Sequence, residues 1–200
     1  MAYTTVRRLD SVLSANKRDD DAVEPAATPI VDELIRLQLS IVGAVDLTGA
    51  GIHRVATYLM SRPRTTIAIV SYPATTFVSV FGGRVFSSTD RSQSAVGSFE
   101  LRQVEPATPT ARLWRLHEAG LARIAAFGAQ PDRLAHERCV DTALEVERRL
   151  RAGADPKAEL LSDVARGLRM DRGNPPLVDD RRAGKRIERW LAIGIEPIPV

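Results

Sequence analysis

Apolar positions along this chain change period twice, and the changes predict its elements. From Ile30 the residues Ile30, Val31, Leu34, Leu37, Ile41 and Val45 mark one helical face, and Ile35, Leu39 and Val42 widen it until the element must be largely buried. Thr28-Pro29 supplies its start: Thr is a good N-cap, Pro suits the first helical position, and Asp32 and Glu33 complement the positive helix end. Asp46 to Gly51 interrupts the pattern. Thr48 then caps a second predicted helix with the stripe Ile52, Val55, Ala56, Leu59 and Met60, which ends ahead of Arg62-Pro63 because the residue before proline avoids the helical region.

Beyond Pro63 the period shortens. Thr66 to Ser71 reads as a buried strand, and Tyr72-Pro73-Ala74 breaks it. Thr76 to Phe81 and Arg84 to Ser88 flank Gly82-Gly83, which predicts a hairpin because both glycines tolerate positive φ. Ser98 to Val104 alternates as a further strand. Helical spacing returns after Pro109, with Leu113, Leu116, Leu121, Ile124 and Phe127 ending at Gly128, and with Leu134, Ala143, Leu144, Val146 and Leu150 continuing to Gly153. These two segments predict an αα-hairpin about the Gly128–Pro131 turn. Asp155-Pro156 starts another helix with the stripe Leu160, Leu161, Val164 and Leu168, and a last one covers about residues 179–192.

The predicted fold class is α+β: two N-terminal helices, a three- to four-stranded antiparallel sheet over about 66–104, then a C-terminal bundle of three or four helices. Residues 1–28 read as an arm of low hydrophobicity and mixed charge, residues 29–194 as one domain, and residues 195–200 as an extended apolar tail.

Composition narrows the function classes. The 200 residues are 44% hydrophobic and 26% charged, normal for a globular chain, so the core needs no disulfide or structural metal. The single cysteine, Cys139, excludes an internal disulfide and a cysteine-based zinc site. No apolar run has the length of a membrane span and no secretory signal opens the chain, so the expectation is a soluble, cytoplasmic protein that does not engage a membrane. The net charge of +3 is scattered, with acids interleaved almost everywhere.

Candidate chemistry is thin. Gly82-Gly83-Arg84 lacks the spacing of a phosphate-binding loop, and Gly49-Ala50-Gly51 is a helix break. His117-Glu118 and His136-Glu137 begin like a zinc-protease motif but lack its second histidine, and His53 stands alone. In the predicted hairpin His117 comes near Cys139 and Asp141, a thiol-nucleophile arrangement whose bland counterpart is a buried Cys and a salt-linked His. Glu118 with Asp141 would be a carboxylate pair, although Glu145 with Arg149 exemplifies the i,i+4 ion pairing that accounts for most acids here. The sequence therefore assigns no catalytic residue, metal or cofactor and makes no small-molecule substrate evident, and an enzyme using His117, Cys139 and Asp141 stands as a third reading.

Two features remain. Arg166, Arg169, Arg172, Arg181, Arg182, Lys185, Arg186 and Arg189 form the densest basic region, a candidate contact for nucleic acid or an acidic partner. The charged arm and the apolar tail, with Ile195, Ile198 and Val200 as candidate oligomer contacts, are segments suited to docking on a neighbouring subunit or a sheet edge. The leading expectation is a non-catalytic protein–protein interaction or self-assembly protein, structural in role and homo-oligomeric. The alternative is a nucleic-acid-associated regulatory protein using residues 166–189.

Overall fold

The computed structural model describes residues 14–17, 23–49, 52–90, 99–106, 108–152 and 175–200. The first helix, α1, runs over Thr28–Arg36 behind a 3-10 turn at Pro25–Ala27. It begins within a residue of the predicted Thr28-Pro29 start, but Ala27 rather than Thr28 is the N-cap, with no side-chain cap bond, and the helix is half the expected length. Gln38 takes φ 65°, the left-handed region, and reverses the chain directly into a strand.

The second predicted helix is absent. Residues 39–61 instead form a long antiparallel hairpin, β2 (Leu39–Gly49) and β3 (Ile52–Ser61), with register from Leu39↔Ser61 to Gly49↔Ile52 and a bulge between Ile41 and Gly43. The physical reason lies in two-sided burial. Val45, Ala56, Tyr58 and Met60 face one side of the sheet while Leu39 and Leu59 face the other, and every one of them is buried. A strand covered on both faces reads as a continuous apolar run, and period-2 alternation is lost. Gly49-Ala50-Gly51 is thus the connection between two strands rather than between two helices.

Four further strands extend the sheet: β4 (Ile67–Ser71), β5 (Ala74–Phe81), β6 (Arg84–Thr89) and β7 (Glu100–Val104). A short strand from the arm, β1 (Ser14–Lys17), pairs antiparallel with β2 from Ser14↔Thr48 to Lys17↔Val45. The strands lie in chain order, β1 to β7, across one sheet. The Gly82-Gly83 hairpin forms as predicted between β5 and β6, with Gly82 at φ 65°. The last pair, β6 with β7, is parallel, so the sheet is mixed. The expected three- to four-stranded antiparallel sheet is therefore corrected to six strands from Leu39 to Val104 plus the arm's strand at the edge.

The expected C-terminal helix bundle is also corrected. Helix α2 (Thr110–Ala125) packs with α1 on one face, burying Leu113 and Trp114 against Leu59, Ala68, Val70 and Phe77. Helix α3 (Cys139–Ala152) packs on the opposite face, with Cys139, Val140, Ala143 and Val146 against Tyr58, Ile67, Ile69 and Val78. These helices sandwich the sheet and do not form an αα-hairpin. The first of them ends at Ala125 with Ala126 as its C-cap, and Gly128 turns the chain two residues later at φ 84°; the following loop runs past the sheet's end, where the Asp132 N–H donates to Val80 O (2.8 Å) and the Leu134 N–H to Arg64 O (2.7 Å). Helix α4 (Ala183–Leu191) closes the β7 side, where Ile187 and Trp190 join Phe81, Phe86 and Leu101. The predicted helix at 155–168 lies outside the described residues. Among those described, no helix is long and apolar enough to cross a membrane.

Candidate functional site

Helix α2 and strands β5, β6 and β7 position an extended buried polar chain. Ser79 and Ser88 sit at positions that face α2, and His117 lies between them, wholly buried. Its Nε2 is 3.1 Å from Ser79 Oγ and its Nδ1 is 2.8 Å from Ser88 Oγ. Ser79 Oγ continues to Thr66 Oγ1 at 2.9 Å. On the other side the Gln103 side chain donates from Nε2 to Ser88 Oγ (2.6 Å) and accepts the Leu177 N–H at Oε1 (3.0 Å).

That arrangement fixes the proton positions. Leu177 N–H orients the Gln103 amide, so its NH2 group must donate to Ser88. The Ser88 hydroxyl, already an acceptor there, donates to His117 Nδ1, leaving Nε2–H to donate to Ser79. The opposite tautomer would strand the Ser88 hydroxyl hydrogen in the core, at a cost of about 1–3 kcal/mol. Phe86 stacks on the imidazole with ring centroids 4.7 Å apart, and Phe77 and Trp114 complete its surroundings.

A serine hydroxyl 2.8 Å from an imidazole is the spacing of a nucleophile and its base. The environment gives it another role. Burial holds the His117 pKa down at about 3, so the ring neither gains a proton near neutrality nor draws one from a hydroxyl. Ser88 is itself fully buried and bonded on both sides. The chain is a satisfied polar core that ties α2 to β5, β6 and β7.

The sequence-derived constellation of His117, Cys139 and Asp141 is not assembled. His117 lies in the α2 layer and Cys139 in the α3 layer, on opposite faces of the sheet. Cys139 is fully buried, and burial pushes its thiol pKa up to about 12, far from a thiolate nucleophile. Glu118 and Asp141 are separated by the same sheet. His53 lies on β3 and His136 in the exposed 3-10 turn before α3. Among the described residues no three His, Cys, Asp or Glu side chains converge as metal ligands. Glu145 is paired with Arg149 at 2.7 Å, as its spacing predicts, and with Arg148 at 2.7 Å. Hydrogen bonds from Arg148 and then Arg149 hold its carboxyl at about 2.

The basic region divides in two. Arg166, Arg169 and Arg172 lie outside the described residues. On α4 and the turn before it, Arg181, Arg182, Lys185 and Arg189 are exposed. Arg186 is committed internally: it bonds Asp180 Oδ2 (2.8 Å), Pro175 O (3.2 Å) and Arg102 O (3.0 Å). Those contacts help cover the outer edge of β7, as does the Trp190 indole, whose N–H donates to Phe99 O at 2.8 Å. A recess of about 220 Å³ opens beside them, lined by Glu100, Leu101, Arg102, Arg186, Arg189, Trp190 and Ile193. Within it Arg102 and Glu100 form a buried bidentate ion pair, with Nε to Oε1 at 2.9 Å and Nη2 to Oε2 at 2.6 Å.

The C-terminal tail folds back on the chain's own core. Ile198 is 3% exposed and packs in the α3 layer, with Ile195 and Val200 partly buried beside it. Its backbone is held along its length. The Ile198 N–H donates to Gly82 O (3.0 Å), Thr142 Oγ1 to Pro199 O (3.0 Å), and Arg149 to the carbonyls of Glu196 (2.7 Å) and Pro197 (3.1 Å). Of the three candidate oligomer contacts, Ile198 is thus buried within its own chain, and Ile195 and Val200 are partly so.

No protein-family model, curated protein or solved structure matches this chain.

Proposed function

We propose that this is a non-catalytic self-assembly protein whose N-terminal arm adds a strand to the sheet edge of a second copy. One observation carries the reading: the arm's strand β1 pairs with β2 alone, at the outer edge of the sheet, over the four positions Ser14 to Lys17. Main-chain pairing of this kind is independent of which chain supplies the strand, and exchange of an identical element between protomers is a low-cost route to a dimer. The rest of the edge supports it. Short of the paired stretch, β2 bulges against β3 between Ile41 and Gly43, which bends the strand there, and the arm pairs beyond the bend. With the tail committed to its own core, the arm is the terminal segment on which assembly rests.

Sedimentation of the full chain over a wide concentration range tests this, beside an Ala15→Pro/Asn16→Pro variant. Adjacent strand residues point their N–H groups alternately toward and away from the partner, so the double substitution removes a ladder donor whichever way β1 faces. The expected result is concentration-dependent association of the native chain that the variant loses. A strict monomer, or association that survives the prolines, refutes the reading.

A further inference from the structure

The exposed side of α4 carries a second surface, independent of the β2 edge. At the helical repeat of about 100° per residue, Arg182, Lys185 and Arg189 align in one stripe, while Ala183, Ile187 and Trp190 turn inward. Glu188 is exposed but lies off the stripe, toward Gly184. Arg189 also lines the 220 Å³ recess at the C-terminal end of the helix. The three guanidinium groups of that recess differ in their commitments. Arg102 is held by Glu100, and Arg186 by Asp180 and two carbonyls. Arg189 has no ion-pair partner among the described residues. The remaining lining is apolar, from Leu101, Trp190 and Ile193.

Two kinds of anionic partner meet such a stripe, and the recess separates them. A single-stranded nucleic acid needs aromatic faces on which bases stack, together with its phosphate contacts. Trp190 cannot serve, because it is 3% exposed, its N–H is bonded to Phe99 O, and its ring packs edge-on against Phe81 at 5.2 Å. A peptide with alternate carboxylates and one aliphatic side chain needs a cationic row and a single apolar hole, and both are present. Arg182 to Arg189 spans about 10 Å of helix, and alternate side chains of an extended peptide are about 7 Å apart, so two carboxylates match the row.

We propose that the outer face of α4, with the recess at its end, is a docking site for an acidic segment of a partner protein, whose carboxylates meet Arg182, Lys185 and Arg189 and whose flanking aliphatic side chain enters the recess. The full chain with 15N-labelled indoles tests it, because the protein has 2 Trp residues and they report separately. Trp190 borders the recess, while Trp114 packs against Phe77 under α2 and serves as the internal reference. The probe is the blocked peptide Glu-Ser-Glu-Ser-Leu, which puts two carboxylates and a flanking Leu on one face when extended, with two comparison probes: the same peptide with Ser in place of Leu, and an oligothymidylate. The first peptide is expected to shift the Trp190 indole signal and leave Trp114 in place. Its affinity should fall at least about tenfold in the R182E/K185E/R189E variant, whose substitutions are all at exposed positions, and again with added salt. The Ser peptide should bind more weakly, without the indole shift. A peptide that leaves Trp190 unmoved, equal binding by the Ser peptide, or tighter binding of the oligothymidylate through the same three residues overturns the proposal.

Discussion

Acidification should destabilise this protein in a pH range where its carboxylates are still ionised, and His117 is the reason. Its pKa is about 3 in the fold, lowered by burial from the ordinary 6.5, so the unfolded chain binds the additional proton. A histidine of this kind contributes stability that is complete above about pH 6.5 and is lost as pH falls toward 3. Treating the two pKa values as a two-state linkage gives a loss of about 2 kcal/mol between pH 7 and pH 5, and about 3 kcal/mol by pH 4. That is a large part of a typical domain's margin. The assay is urea unfolding at fixed pH values from 7 to 5, a window above the titration of ordinary carboxyl groups. A His117→Gln variant keeps a donor and an acceptor for Ser79 and Ser88 but has no proton to gain. It should be less stable at pH 7 by about 1–3 kcal/mol, through the lost stack on Phe86 and imperfect hydrogen bonds, and its stability should be nearly flat over the same window. Parallel pH curves for the native chain and the variant would refute the argument. Nitrogen-15 spectra should also show a neutral ring protonated at Nε2, the tautomer that Gln103 and Ser88 impose.

Three further outcomes follow from close contacts in the core. Alanine at Gly120 would place a Cβ 2.4 Å from Phe86 Cζ, and Phe86 is fully buried on His117. The gain of about 1 kcal/mol in helix propensity should be outweighed by overpacking, for a net loss of about 1–2 kcal/mol in thermal or urea unfolding. Alanine at Gly83 would bring a Cβ within 2.3 Å of Glu196 O, which should lever the tail from its groove and speed hydrogen exchange at the Ile198 amide while the sheet amides stay protected. Cys139 should resist alkylation in the native protein and react at an ordinary rate in denaturant, since burial rather than chemistry protects it.

The fold was legible where a local signal stood alone. Thr28-Pro29 marked the start of α1 to within a residue, and the glycine pair at 82–83 marked a hairpin whose flanking strands have the predicted bounds within two residues. It was not legible where burial on both faces erased the alternation that identifies a strand. Ile52, Val55, Ala56, Leu59 and Met60 fit a helical stripe as well as a two-sided strand. The abundance of β-branched residues from Ile41 to Thr57, with a glycine-containing connection between, was the signal that favoured the strand. The placement of α2 and α3 on opposite faces could not be read from a short loop, since the loop passes the end of the sheet. The polar chain around His117 had a visible trace, serines and threonines inside the apolar runs at Thr66, Ser79 and Ser88, but pairing them with a histidine on α2 depended on tertiary packing. The sequence does not separate a tail docked on a neighbour from one folded on its own core, because apolar residues suit either groove. Gly82, Thr142 and Arg149 decide between them.

Disulfide capture between β1 and β2 tests the strand-exchange account most directly. Asn16 lies opposite Asp46 in the ladder, and opposed antiparallel positions have Cα atoms about 4.5–5.5 Å apart, within disulfide reach. Two proteins are prepared, one Asn16→Cys and the other Asp46→Cys, and are mixed under mild oxidation. The buried Cys139 thiol does not compete in the folded state. The account predicts a covalent dimer that joins one protein of each kind. A mixture that stays monomeric, while the Asn16→Cys/Asp46→Cys double variant closes its bond within a single chain, would contradict it.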